Sequence, residues 1–324
     1  MNAKIIGMGC YAPEKIFTNA DMEKFVETND EWIVQRTGIK QRHIADENEY
    51  TSDIATQAAL LALENAGIGA ETLDLIILAT VTPDCFTPSC ACIVQKNIEA
   101  VNAAAFDINA ACSGFVTGTV IAKQFIETGM YKRVLVIGAD VLSKATDYAD
   151  RSTCILFGDA AGAVIYEASE ENGIICVDIG ANGKDGNTLT SLAYRRDEEE
   201  MEKRVTKNPN YISMQGSQVM KFAVKAMTKS TLKLCKNSNL ELSDISLIIP
   251  HQANVRIIES SANFLKVDID KVYMNLWKYG NTSSASIPVA MCEAMQEGKL
   301  KRGDKFIIVG FGGGLTWGSC LIEY

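Results

Sequence analysis

Residues 74–78 read DLIIL, and residues 246–250 read SLIIP. Each run is apolar at nearly every position, the pattern of a strand buried on both faces of a parallel sheet. The two lie 172 residues apart, and the same offset carries VLVIG at 134–138 onto FIIVG at 306–310. Both members of that second pair follow a helical pattern and a short Gly/Lys/Arg turn, ETGMYKR at 127–133 and QEGKLKRGD at 296–304. AAGAVIYEA at 160–168 further matches TWGSCLIEY at 316–324. A common offset shared by separate strands predicts a duplicated α/β unit, with halves at 1–170 and 171–324 related by a pseudo-twofold axis.

Outward from these runs, strands are expected at Lys4–Cys10, Leu73–Thr80, Arg133–Gly138, Ala161–Tyr166, Ile174–Ile179, Ile245–Pro250, Lys305–Gly310 and Ser319–Glu323. Helical spacing marks Ser52–Ala66, which closes on Gly67, and Gly114–Thr128, which closes on Gly129. Gln218–Cys235 and Ile287–Gln296 follow the same pattern. Tyr194–Tyr211 is dense in charge and contains Pro209, and reads as an exposed excursion between the first strand and first helix of the second half.

The chain has 324 residues, 47% hydrophobic and 22% charged, with a net charge of −9. That balance argues against a nucleic-acid-binding surface, though not against a local basic patch. The N-terminus lacks the apolar core of a signal peptide, and no apolar run approaches the roughly 20 residues that span a bilayer. A soluble, cytoplasmic protein without membrane insertion is expected. Ten cysteines spread over strand-like and helix-like stretches predict free thiols rather than a disulfide framework. Cys85, Cys90 and Cys92 do not have the spacing of a zinc site, so no metal is expected there.

Scarce residue types direct attention to three places. Of the two histidines, His43 lies in a polar stretch and reads as an exposed loop residue. His251 directly follows LIIP, at the carboxyl end of a buried strand, where open α/β sheets bind ligands. It is placed to act as a base or donor there, with a structural role as the alternative. Cys112, in DINAACSGF at 107–115, has the equivalent address in the first half, at the start of a helix. A helix N-terminus favours thiolate and lowers the thiol pKa, and its N–H groups can hold the oxyanion of an attacked acyl group. The stretch alone equally suits a buried, inert cysteine. The offset of 172 maps Cys112 onto Ser284, so Cys112 is expected to face the Gly280–Ser284 turn, in which Asn281 offers an amide donor or a helix cap. GFGGGLTWG at 310–318 either brings backbone N–H groups to a reacting carbonyl or simply makes a tight turn.

Taken in order, DINAACSGF, HQANVR at 251–256, YGNTSSASIP at 279–288 and GFGGGLTWG closely resemble β-ketoacyl-acyl carrier protein synthase III. The resemblance extends over essentially the whole chain, including DEWIVQRTGI at 30–39 and FGDAAGAV at 157–164. It implies a thiolase-like fold of five layers, a homodimer, and initiation of type II fatty acid synthesis. It further implies that Cys112 takes an acyl group from acyl-CoA, and that His251 and Asn281 stabilise the enolate formed from malonyl-acyl carrier protein as CO2 leaves. Gly313, with the Cys112 N–H, would form the oxyanion hole, and Phe311 would pack beside the nucleophile. Acyl-CoA and acyl carrier protein are then substrates, and no metal or redox cofactor is implied.

Less directly, Trp32, Arg36 and Arg151 match residues that hold the adenine and phosphates of CoA. Asn254 and Gly216 match the pantetheine channel, Arg256 and Lys221 the basic mouth that meets the carrier protein, and Thr87 the acyl pocket. Asn263 and Phe264 stand where some relatives carry lysines, which weakens or displaces that docking patch. Elongating ketosynthases use two histidines and thiolases a second cysteine, and chalcone-type synthases carry proline in the glycine motif; none of these patterns is met here. A starter-unit condensing or acyl-transfer enzyme of secondary metabolism is the alternative on the same scaffold. A degenerate, non-catalytic ketosynthase fits poorly, because Cys112, His251 and Asn281 are all kept.

Overall fold

The computed structural model describes residues 1–171, 173–191 and 211–324. The expected excursion falls largely at 192–210, outside the described residues.

Two sheets form the frame. The first contains β1 (Asn2–Tyr11), β2 (Leu75–Ala79), β3 (Ala104–Ile108), β4 (Arg133–Val141) and β5 (Asp159–Ser169), in the order β1-β5-β4-β2-β3. The second contains β6 (Ile174–Ala181), β7 (Leu247–Pro250), β8 (Lys305–Gly312) and β9 (Thr316–Glu323), in the order β7-β8-β9-β6. The repeat read from sequence recurs in register: Leu75 pairs with Val134 in the first sheet, and Leu247 with Phe306 in the second. β3 has no full counterpart, and a single parallel bridge between Ile248 and Val272 stands in its place.

The apolar runs explain the layering. Successive side chains of a strand point to opposite faces. Leu75 and Ile77 enter a central core shared with Leu247, Ile249, Phe306 and Ile308, together with the helices Gly114–Glu127 and Ser286–Gln296. Ile76 and Leu78 face outward onto the helices Thr51–Ala66 and Cys90–Asn97. Ile248, Ile307 and Val309 face the helices Gly216–Ser238 and Val255–Leu265. Helix, sheet, helix, sheet, helix: these are the five layers expected, and both central helices are almost entirely buried.

Each central helix begins in the same unusual way. A short 3-10 turn precedes it, Ala111–Ser113 in one half and Ser283–Ala285 in the other. Ala111 and Ser283 open those turns at φ of +48° and +50°, a region that L-residues enter at a cost. The next residue is Cys112 in one case and Ser284 in the other, so the offset of 172 lands on twin elbows. Ser284 is tied off. Its N–H and Oγ donate to Asp140 at 3.1 and 2.6 Å, and Asp140 also accepts from the Val81 N–H and the Thr80 hydroxyl.

One reading from sequence is corrected here. His43 is not an exposed loop residue: it is half-buried in a short strand, Gln41–His43. Its Nδ1 meets the Pro13 carbonyl at 2.5 Å, and its ring stacks on Tyr279 at 5.3 Å. An aromatic neighbour more than 200 residues away is what draws it in.

Candidate active site

A cavity of about 1070 Å³ opens where the carboxyl ends of β2, β7 and β8 meet the twin elbows. Cys112, His251, Asn281, Phe311 and Gly313 all line it, as do Trp32, Arg36, Gly216, Asn254 and Arg256. Residues from six separate stretches of sequence therefore converge on one space. Arg151, Lys221 and Thr87 do not line it, and all three are exposed.

Cys112 is 9% exposed. Its position between Ala111 and Ser113 brings its backbone against the GFGGG strand. A Cβ built on Gly312 would lie 2.6 Å from Cys112 N, and one on Gly310 would lie 3.4 Å from Cys112 O. The glycines permit this contact, as a close approach between backbones requires. Contrary to the expectation for a helix N-terminus, the thiol is not acidified. Burial pushes its pKa up to about 12, and nearby Asp140 adds to the rise, while Ser283 and the Cys112 N–H draw it back only in part. At rest the Cys112 side chain is a neutral thiol. What sequence could not convey is how completely the elbow is enclosed.

His251 is 1% exposed, and burial alone lowers its pKa to about 3, so the ring is neutral at physiological pH. Its N–H continues the strand ladder to Val309 O at 2.8 Å, and the Phe311 ring stands edge-on at 5.1 Å. Nδ1 lies 2.7 Å from Ser286 Oγ, which also accepts the Gln252 N–H at 3.3 Å. We assign the Ser286 hydroxyl as donor to Nδ1, the tautomer that keeps the imidazole hydrogen on Nε2. Gln252 braces the loop behind: its side chain donates to Pro250 O and Tyr273 O and accepts from Asn275 N–H.

Asn281 is held at both backbone atoms, its N–H on Leu156 O and its carbonyl receiving Gly158 N–H. Its Oδ1 accepts the Ser283 N–H at 2.9 Å, which fixes the amide orientation. The Nδ2 group is thereby left as a donor on a residue that lines the same cavity as His251.

At the mouth, both the Arg36 and Arg151 guanidinium carbons sit over the Trp32 ring, at 5.5 and 4.8 Å. The helix Asp30–Thr37 supplies Trp32 and Arg36 one turn apart, and Arg151 also donates to Glu27 O. A flat aromatic flanked by two cations suits a purine carrying phosphates. Asn254 caps the helix Val255–Leu265 through the Arg256 N–H and donates to Arg36 O, so it also serves as a structural clip. Ser286 and Gln252 were not singled out from sequence. A serine and a glutamine inside known motifs carry no signal until their partners are seen.

Comparison with known proteins agrees with this geometry. Residues 106–183 match the family model "3-Oxoacyl-[acyl-carrier-protein (ACP)] synthase III", and residues 235–324 match its C-terminal companion. A β-ketoacyl-[acyl-carrier-protein] synthase III of Clostridioides difficile is 52% identical over 326 residues, covering 100% of this chain and 99% of that protein. The 3-oxoacyl-[acyl-carrier-protein] synthase III of Aquifex aeolicus superposes with a TM-score of 0.93 at 48% identity, covering 99% and 100% of the two chains. The priming β-ketosynthase of the R1128 polyketide pathway superposes at 0.92 with 30% identity, covering 99% of this chain and 96% of that one.

Proposed function

The chain belongs to the 3-oxoacyl-[acyl-carrier-protein] synthase III family, and on that premise we propose how its own residues run the condensation that initiates fatty acid synthesis. The reaction joins an acyl-CoA to malonyl-acyl carrier protein, giving a 3-ketoacyl-acyl carrier protein, CO2 and CoA. Identity near 50% to fatty acid enzymes, against 30% to a polyketide-priming relative, favours the primary pathway.

In the first half-reaction the Cys112 sulfur attacks the acyl-CoA carbonyl, and the thiol proton leaves with CoA. The N–H groups of Cys112 and Gly313 take the developing oxyanion. In the second, the Nε2–H of His251 and the Nδ2–H of Asn281 donate to the thioester oxygen of malonyl-acyl carrier protein as CO2 departs. The resulting carbanion attacks the acyl group on Cys112 and releases the sulfur. A neutral His251 suits this role, because it keeps one N–H to donate and places no unpaired charge in the buried site. Side chains and backbone amides suffice, so we propose no cofactor.

The single observation that carries the reading is the convergence of Cys112, His251 and Asn281 on one cavity. Trp32, Arg36 and Arg151 would hold CoA at its mouth, Gly216 and Asn254 the pantetheine arm, and Arg256 with exposed Lys221 the acidic carrier protein. The enzyme is taken to be a cytoplasmic homodimer. Among the described residues no helix is long and apolar enough to cross a membrane. Phe86, 61% exposed beside Thr87, marks a face suited to cover by a second subunit, and Thr87 is kept as an acyl-pocket residue on that basis. The test is mass spectrometry of the intact chain after incubation with acyl-CoA. An acyl adduct on Cys112, absent from Cys112→Ala, is expected, and transfer retained in that variant at the wild-type rate would sink the mechanism.

A further inference from the structure

With Cys112 read as the acylated nucleophile, two buried hydroxyls of the cavity, Thr190 and Ser283, are left without a partner among the described residues, and Ser283 is the one carried on an elbow turn. Ser283 follows Asn281 by two residues, lines the cavity and is 2% exposed. Its N–H is spent on Asn281 Oδ1, and its backbone is held at φ +50°. Its Oγ has no hydrogen-bond partner of standard geometry. Buried hydroxyls are nearly always satisfied, so one left open beside a reactive atom points to a partner that appears during the reaction.

The neighbouring hydroxyls are already engaged. Ser284 serves Asp140 and Ala79 O, Ser286 serves His251, and Ser113 serves Ala110 O and Thr316. Thr282 Oγ1 is also unpartnered but does not line the cavity, and Thr190 Oγ1, unpartnered and in the cavity, sits in the short strand Leu189–Thr190 rather than on an elbow turn. Ser283 and Cys112 line the same cavity from facing elbow turns, and the Ser283 hydroxyl draws the thiol pKa down against the effect of burial. The two elbow turns that carry them pack on each other across the halves of the chain.

We propose that Ser283 is a further catalytic residue, a hydrogen-bond donor to the Cys112 sulfur at the two moments when that sulfur bears negative charge. The first comes as the thiol gives up its proton and forms the S–C bond to the acyl group, while the C–S bond to CoA breaks and the CoA sulfur takes the proton. The second comes when the tetrahedral adduct of condensation breaks the S–C bond and returns its electron pair to Cys112. Ser283 keeps its own proton throughout. This rests on the nucleophile assignment above, and its test needs no substrate.

Thiolate, not thiol, reacts with iodoacetamide. The pH profile of alkylation at Cys112 is therefore measured on the full chain for wild type, Ser283→Ala and Ser283→Gly, with the adduct located by peptide mass spectrometry. Glycine relieves the positive φ, so it supplies a folded comparison if alanine strains the turn. Alkylation at Cys112 at a fixed pH is expected to fall about tenfold in both variants, with the profile displaced about one unit upward. Profiles that coincide with wild type in both variants overturn the proposal. The nucleophile assignment fails separately, by the absence of an acyl adduct on wild-type Cys112 after incubation with acyl-CoA, so the two failures are distinguishable.

Discussion

Replacing Gly312 by alanine should disable acylation while leaving the fold in place. The added Cβ would lie 2.6 Å from Cys112 N and 3.1 Å from Cys112 Cβ. Carbon contacts are most favourable near about 3.5–4.0 Å, so the deficit against the nitrogen is close to 1 Å. Neither side can swing away, because one is a strand in the second sheet and the other is the elbow turn. The Cys112 N–H, the proposed oxyanion donor, is what must move. A displacement of that size in a catalytic constellation costs about a hundredfold in rate, and overpacking of this kind costs about 1–3 kcal/mol of stability. Gly312→Ala is therefore expected to acylate Cys112 about a hundredfold more slowly than wild type, measured by rapid quench and intact-mass spectrometry. Its circular dichroism melt should shift downward without losing cooperativity. Gly183→Ala is the control, because a Cβ there meets nothing within 4 Å. A folded Gly312→Ala enzyme with wild-type acylation would refute the claim that this backbone contact positions the oxyanion donor.

Two further outcomes separate the roles of the other residues. His251→Ala and Asn281→Ala should each still form the acyl adduct on Cys112 yet fail to release CO2 from malonyl-acyl carrier protein; normal condensation in both would refute their assignment. The buried, neutral His251 also links stability to pH. Its folded pKa, about 3, lies below the ordinary value of 6.5, so the unfolded chain binds the extra proton between them. Stability from this group is whole above about pH 6.5 and is lost as pH falls toward 3, by about 2 kcal/mol between pH 7 and pH 5. Buried Asp159, raised to about 6, acts in the opposite direction over the same range. The measurement is therefore the difference between wild type and His251→Asn in urea unfolding at the two pH values. A loss on acidification that is equal in both proteins would exclude His251 as its source.

Much of the frame was legible because a strand buried on both faces leaves an unbroken apolar run, and a repeat leaves an offset. Leu75 and Leu247 could be matched before any coordinates, and so could Cys112 and Ser284. The helix Val255–Leu265 was not assigned from periodicity, though Asn254 is a good cap for it. The acidity of Cys112 was read with the wrong sign, because a helix N-terminus is visible in sequence and the depth of enclosure is not. His43 was misplaced for a related reason, its stacking partner Tyr279 being distant in the chain. Ser283 and Ser286 sat unread inside a recognised motif. Their meaning comes from what they face across the fold, the elbow of Cys112, 171 positions before Ser283, and an imidazole 35 positions before Ser286.

The twin elbows bear on where the catalyst resides. Cys112 belongs to one half, while His251, Asn281 and Ser283 belong to the other, and the Ser284–Asp140 bonds clamp the two together directly behind the nucleophile. Neither half owns a working site. The seam between them sets the spacing of sulfur and donors, so it is a moving part that must not move. A variant that keeps both sheets but loosens this clamp would look native and do nothing.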